Sequence, residues 1–254
     1  MPKVITLKKA SLLQEEIEQL QQYRFYTRHE IDDKEAIRMI DLIDEKNLKP
    51  FMESVKDKLH APSVTVAASL FSKRYSYLLL VPALYAFSRY NKFLNVSIEN
   101  VEIMDCYENG IWLPKLILRD DAVQVASSEE ERTKARSIFF KQLFSEHLNV
   151  MLNALASVGN LSKQTLWENA AVYIFWLYEK ALYDLDCDHA NEDYCFLLSE
   201  EDGSIFGTGQ KNPLSRFNNE KTLVESEAIR VRTTCCLSYL VSEKQMCKIC
   251  PKRS

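Results

Sequence analysis

The sequence predicts a predominantly helical α+β protein with a small antiparallel sheet and a C-terminal cysteine-rich segment. Three observations predict it. Long stretches carry apolar residues at helical spacing, and only five glycines and seven prolines interrupt 254 residues. Between residues 93 and 125 the pattern changes to period two around Asn109-Gly110, the strongest short-range hairpin signal. Four of the seven cysteines then fall within residues 235–250.

The expected elements follow in order. Residues 10–23 read as an amphipathic helix with Leu13, Ile17 and Leu20 on one face. Residues 34–44 repeat the pattern through Ile37, Ile40 and Leu42, and residues 48–60 form a third short helix. Residues 63–90 are a long apolar helix, kinked or split at Pro82. The run 75–87 within it is shorter than the roughly 20 residues a membrane span needs, so a buried core helix is expected. Leu94, Val96 and Ile98 open the period-two region, read as a small antiparallel sheet over 93–125. Helix resumes after Ser127 and Ser128, each followed three residues later by glutamate in a capping-box pattern, and runs to about Leu155. Gly159-Asn160 makes a turn, and residues 161–185 form an aromatic-rich helix. Residues 200–219, with three of the five glycines, read as a loop or linker, and 228–240 as a short strand entering the cysteines. Three regions are expected: 1–60 helical, 61–219 a helical body with the small sheet, and 220–254 the metal-binding segment.

Composition excludes several classes. A net charge of −4 argues against a general nucleic-acid binder. Residues 221–254 hold seven basic and three acidic residues, a net of +4, which leaves −8 on residues 1–220. The cysteine-bearing end is the cationic end. The N-terminus lacks an apolar stretch of signal-peptide length. Seven cysteines in a chain without an export signal imply a reducing cytosol, where such clusters more often bind metal than form disulfides. Gly203, Gly207 and Gly209 do not make a dinucleotide-binding G-x-G-x-x-G, and there is no Walker phosphate loop.

Cys235, Cys236, Cys247 and Cys250 form a Cys-Cys-x10-Cys-x2-Cys pattern. Thiolates bunched in this way bind a soft centre, an iron–sulfur cluster or zinc; buried thiols or a redox disulfide are the remaining readings. Cys247-x2-Cys250 lets two sulfurs converge. Adjacent cysteines on a regular strand point to opposite faces, so Cys235 and Cys236 can both act as ligands only if the backbone turns there. Zinc sites usually separate paired ligands by two to four residues, so the contiguous pair favours the cluster. Arg230, Arg232, Lys244 and Lys248 would stabilise its anionic thiolates, although each alone also reads as an ordinary solvated surface charge.

The stretch Arg-x-Arg-Thr-Thr-Cys-Cys-Leu-x-Tyr…Cys-x2-Cys-Pro, residues 230–251, resembles the C-terminal signature of the FhuF-type ferric siderophore reductases. Looser similarity covers 69–100 (Ser-Leu-Phe-Ser-Lys-Arg-Tyr…Val-Pro-Ala-Leu-Tyr-Ala) and 144–178 (Phe-Ser-Glu-His-Leu…Leu-Trp-Glu-Asn), a segment shared with siderophore synthetases. Residues 1–60 match nothing usable. The resemblance implies a 2Fe-2S cluster on Cys235, Cys236, Cys247 and Cys250 and one-electron reduction of siderophore-held iron(III) in the cytoplasm, close to the inner face of the membrane. It also makes the 61–219 body siderophore-binding-like. Expected substrates are hydroxamate or citrate–hydroxamate chelates, and an external ferredoxin, flavodoxin or small reductant must supply electrons. Arg230, Arg232, Lys73, Arg74 and His147 are the candidate substrate-binding residues. A plain surface role for Lys73 and Arg74 and a satisfied core histidine at 147 stand beside that reading, and Trp167 and Asn169 share the status of His147. A non-catalytic binding module with a structural zinc site on the four cysteines is the alternative function. Asp184-x-Asp186-x-Asp188 lacks the glycine and glutamate of a calcium loop. Cys187, His189 and Cys195 lack a fourth ligand, and Cys106 reads as a small buried hydrophobe.

Overall fold

The computed structural model describes residues 7–31, 35–185, 187–199, 203–209, 211–224, 226–241 and 246–253. Its elements are β1 (Lys8–Ala10), α1 (Gln14–Gln21), β2 (Phe25–Thr27), β3 (Ala36–Arg38), α2 (Glu45–Lys58), α3 (Val64–Tyr90), β4 (Lys92–Leu94), β5 (Val101–Met104), β6 (Tyr107–Glu108), β7 (Ile111–Trp112), β8 (Lys115–Leu118), β9 (Val123–Val125), α4 (Glu129–Lys141), α5 (Asn149–Gly159), α6 (Lys163–Trp176), α7 (Asp188–Ser199), β10 (Thr222–Val224) and β11 (Glu227–Ile229). The protein is predominantly helical with several small sheets, the predicted α+β class.

The organising element is α3, apolar on every side and therefore central. Its residues from Val66 to Ser88 are largely buried, and α2, α5 and α6 pack around it. The Ser63 side chain caps its start by accepting from Val66 N, and Asn91, in the left-handed region at φ 53°, ends it. Pro82 does not split the helix. Proline in a helix interior costs about 3 kcal/mol, and burial of Leu78 to Phe87 against the surrounding helices offsets that cost. Gly159, at the end of α5, lets that helix approach α3 closely: a Cβ there would lie 2.7 Å from Ala68 Cβ.

The period-two region forms strands, and those strands separate into different sheets. β4 and β9 join β1 in the order β1-β9-β4, while β5 and β8 sit in β2-β8-β5-β3, with β2 and β8 parallel. Strands from the first sixty residues thus pair with strands from 93–125. Asn109-Gly110 turns the β6–β7 hairpin, with φ of 50° and 76°, as that dipeptide requires.

Residues 35–44 do not form the expected α-helix. β3 pairs with β5, and Met39–Ile43 is a 3-10 turn; Lys34 lies outside the described residues. A helix this short is marginal alone, whereas the β5 edge supplies backbone hydrogen bonds. The helix after Ser128 starts as predicted, with Ser128 Oγ accepting from Glu131 N and Glu131 accepting from Ser127 N at 2.8 Å. It passes through a π-helical turn, Gln142–Leu148, into α5. α6 likewise ends in a π turn, Leu177–Ala181. Among the described parts of 200–219, Phe206, Leu214 and Phe217 are buried in the main core, so the segment is a packed loop. The sequence pattern does not reveal α7. It is held by buried Asp193, which accepts from Arg132 at 3.0 and 2.8 Å and from Ser88 at 2.7 Å. Asp186 lies outside the described residues, and α7 begins at Asp188, where the rejected calcium loop would run. No helix among the described residues is long and apolar enough to cross a membrane.

Candidate metal centre

The cysteine segment lies on α3 and α6, anchored by polar residues in otherwise apolar helices. Ser69 and Ser72 of α3 and Asn169 of α6 are fully buried, and Glu168 is nearly so. Asn169 Nδ2 donates to Ser69 O at 3.0 Å and Ser72 Oγ at 2.8 Å, and its Oδ1 accepts from Arg232 Nη2 at 2.7 Å. Ser69 Oγ donates to the Cys236 carbonyl at 2.9 Å. Glu168 takes both Thr233 donors, N at 2.5 Å and Oγ1 at 3.0 Å, and both Thr234 donors, N at 2.7 Å and Oγ1. Arg232 Nε stands 3.5 Å from the same carboxylate. A buried carboxylate is tolerable only when so paired, and here its donors are the residues just before the cysteine pair.

These bonds explain why the predicted strand over 228–240 stops early. β11 pairs with β10, but beyond it the backbone donors go elsewhere: Thr233 and Thr234 to Glu168, and Arg232 N to Ile249 O at 3.0 Å. That last bond joins the Cys235-Cys236 arm to the Cys247-x2-Cys250 arm. The second arm closes on itself through Cys250 N to Cys247 O at 3.0 Å. Leu237, at φ 63°, turns the backbone immediately after the pair and donates its N–H to Cys235 Sγ at 3.4 Å. The turn that adjacent ligands require is present.

All seven cysteines are free thiols. Cys236 and Cys250 are buried, and Cys235 and Cys247 are half-buried. Cys236 and Cys247 share a hydrogen bond that pulls the Cys236 thiol below its ordinary pKa and pushes Cys247 up. The positive charge of Lys73 acts on both, and Cys236 Sγ lies 3.3 Å from Ser238 Oγ. Cys250 is close enough to act on Cys247, and Lys252 feels both Cys235 and Cys250. Among the described residues, no three of these sulfurs lie within 4.8 Å of one another. They are gathered but not closed about one point.

The predicted substrate-binding residues separate. Arg232 is 4% exposed and engaged as above. Arg230 pairs with Glu179 at 2.8 Å, bonds Asn219 O and Asn218 Oδ1, and lies over the Phe175 ring at 4.2 Å. It lines a cavity of about 240 Å³ with Val172, Phe175 and Trp176, rimmed by Lys180 and Lys248. Glu179 is raised by burial, but hydrogen bonds from Arg230, Tyr194 and Lys221 outweigh this and hold it at about 2. Glu227, between Lys180 and Lys248, is held equally low by those two hydrogen bonds. Lys73 and Arg74 line a second cavity, of about 440 Å³. His147 lies fully buried in the π turn of 142–148, its Nδ1 on Val96 O at 2.6 Å and its Nε2 on Tyr75 Oη. Burial lowers its pKa to about 4, so it is a neutral core histidine away from both cavities. Trp167 packs edge-on against Phe206. Cys187 donates to Ser88 O, Cys195 is exposed, and Cys106 is half-buried. His189 groups instead with Glu129 and Glu192. Lys244 lies outside the described residues.

Sequence reasoning missed Glu168, Ser69 and Ser72. The signal was available: Glu168-Asn169 is the polar break in an apolar helix, and Ser69, Ser72 and Ser76 recur at helical spacing on another.

No curated protein matches the chain in sequence. Among solved structures it is similar to the aerobactin synthetase IucA from a hypervirulent pathotype of Klebsiella pneumoniae, with a TM-score of 0.53 and 13% identity over 80% of this chain and 50% of that one. IucC, the aerobactin synthetase from the same source, gives 0.49 and 14%, over 72% and 37%. The chain thus spans half or less of the length of these synthetases, and the likeness concerns fold. The family model described as "Ferric iron reductase FhuF-like transporter" matches residues 69–225, from the Ser69 anchor on α3 through α6 and α7 to the hairpin that leads into the cysteines. With that match covering more than half of its length, the chain belongs to the FhuF-like ferric iron reductase family.

Proposed function

We propose that the protein is a ferric siderophore reductase that delivers one electron to chelated iron(III) and releases iron(II) in the cytoplasm. The observation that carries this reading is the gathering of four free thiols where two arms of chain meet, tied by Arg232 N to Ile249 O. Cys235, Cys236, Cys247 and Cys250 would hold a 2Fe-2S cluster, which supplies reversible one-electron chemistry when bound. The donor set fits that group. It is all thiol, its backbone already turns at Leu237, and Lys73 and Lys252 place positive charge beside ligands that bind as thiolates.

The other residues hold this arrangement. Glu168, Asn169 and Ser69 fix the Cys235-Cys236 arm to the core helices, so the ligands are oriented before any metal arrives. Half-exposed Cys235 and Cys247 leave the site open toward solvent and a donor. Hydroxamate, citrate and catecholate oxygens favour iron(III) over iron(II), so reduction loosens the chelate. The net change is one electron from a ferredoxin, flavodoxin or small reductant to iron(III), with no proton or group transferred. No general base or nucleophile is needed.

The test is iron and sulfide analysis with electron paramagnetic resonance on anaerobically prepared, dithionite-reduced protein, joined to turnover of a ferric chelate with an iron(II) trap. Two irons and two sulfides per chain and rapid trapping are expected, with Cys235→Ala losing both. A colourless, zinc-loaded protein, or undiminished turnover in Cys235→Ala, would overturn the proposal.

A further inference from the structure

Arg232 is nearly sealed from water, at 4% exposed, so it does not meet a bulky chelate. Its charge stands against Glu168 at 3.5 Å, Nε donates to Thr234 O at 3.1 Å, and Nη2 donates to Asn169 Oδ1 at 2.7 Å. Nη1 is buried with no hydrogen-bond partner among the described residues, and Arg232 is the one described residue of 220–254 with such an atom. A guanidinium nitrogen can only donate. The missing group is therefore an acceptor, since a counter-ion is already present. A charged donor left unmet in the interior is costly.

The packing places that donor beside the thiols. Asn169, which holds Nη2, lies on the side of α6 that bonds Ser69 and Ser72 of α3. Ser69 in turn holds the Cys236 carbonyl at 2.9 Å. The guanidinium and Cys236 are thus anchored to two residues that bond each other. Tyr173, one turn beyond Asn169, feels both: burial above all raises its pKa, Cys236 raises it further, and Arg232 lowers it. Through its backbone N, Arg232 also holds Ile249, between Cys247 and Cys250, at 3.0 Å. The residue stands between the two pairs of ligands.

Resting on the reading of Cys235, Cys236, Cys247 and Cys250 as ligands of a 2Fe-2S cluster, we infer that Arg232 is a positioning residue for that centre, its Nη1–H held ready for one of the centre's sulfurs. Thiolates and sulfides around the two irons carry a negative charge that grows by one on reduction. A fixed N–H···S bond is stronger to the more negative form, so it raises the reduction potential. Arg232 thereby sets which reductants can load the electron, and it does so without touching the chelate or the donor.

The experiment is pulsed electron paramagnetic resonance on the full chain, loaded anaerobically, reduced with dithionite and carrying isotope-labelled guanidinium nitrogens on its arginines. A redox titration and iron and sulfide analysis accompany it. The parent should show a nitrogen coupling from one guanidinium that persists in Arg230→Lys and is lost in Arg232→Lys. At a fixed reductant potential, the ratio of reduced to oxidised centre should fall at least ~10-fold in Arg232→Lys, equal to ~59 mV for one electron, with iron and sulfide content kept. That variant retains the positive charge against Glu168, so charge alone would leave the potential in place. Should Arg232→Lys fail to hold iron, persistence of the parent coupling in Arg74→Lys, Arg230→Lys and Arg253→Lys assigns it to Arg232. A parent cluster without guanidinium coupling, a coupling that survives Arg232→Lys, or an unshifted potential would overturn the inference. Coupling and shift without iron(II) formation uphold it and sink the reductase reading. Iron(II) formation without coupling sinks the inference alone, and a colourless zinc protein sinks both.

Discussion

At the scale of single residues, Glu168 matters more than its place in a helix implies. One buried carboxylate receives two backbone and two hydroxyl donors from Thr233-Thr234 and stands against Arg232. Glu168→Gln replaces an acceptor oxygen by an amide donor facing a threonine and strips Arg232 of its charge partner. A loss of about 2–4 kcal/mol is expected, read from urea unfolding, together with fewer irons retained per chain. Retention of parental stability and iron content would show that the clamp does not hold the arm. Glu168 was legible only as a polar break, because its partners are 65 residues away. The four cysteines could be singled out as candidate ligands from local spacing alone. His147 shows the reverse case: sequence left it between core and cleft, and two hydrogen bonds inside the core decided for the core.

At the scale of elements, patterns that depend on neighbours along the chain came through. Ser128 capping, the Asn109-Gly110 turn and the length of α3 follow from local chemistry. Residues 34–44 did not, because three apolar residues at mixed spacing fit a short helix or an edge strand, and the unpaired edge of β5 chose the strand. α7 escaped notice for a similar reason, since a buried Asp193 reads as polar until Arg132 and Ser88 are beside it. The packing of α5 on α3 rests on Gly159. Gly159→Ala puts a methyl 2.7 Å from Ala68 Cβ, and an expected loss of about 1–3 kcal/mol from overpacking should appear as a lower unfolding midpoint. Adding Ala68→Gly should recover part of that loss. A neutral Gly159→Ala would show that the two helices part freely.

At the scale of the whole molecule, acidification should act in two stages. His147 has a folded pKa of about 4 against an ordinary 6.5, so the unfolded chain binds the extra proton first. Its contribution to stability is complete above pH 6.5 and is lost as pH falls toward 4. The loss is about 3 kcal/mol at most, since each pH unit separating the folded from the ordinary pKa is worth about 1.4 kcal/mol. Glu179, at about 2 against 4.5, contributes fully above pH 4.5, and its contribution falls away toward pH 2. It ties Arg230 and Lys221 of the C-terminal segment to the end of α6. Global stability should therefore decline from pH 6.5 downward, and protease sensitivity of residues 220–254 should rise only below about pH 4.5. Measured together by urea titration and limited proteolysis, a single shared transition would contradict this separation.

The sequence by itself determined the helical α+β class and the course of the central helix and singled out four candidate thiols, because each rests on periodicity or spacing within a few turns of chain. Tertiary structure alone decided that a glutamate and an asparagine of α6 would grip the cysteine arm, that the strands would divide between sheets, and that Lys73 of α3 would place its charge beside the thiols. These are long-range pairings in which a buried polar group is stable only once its partner arrives from far along the chain, and no local pattern records that partner.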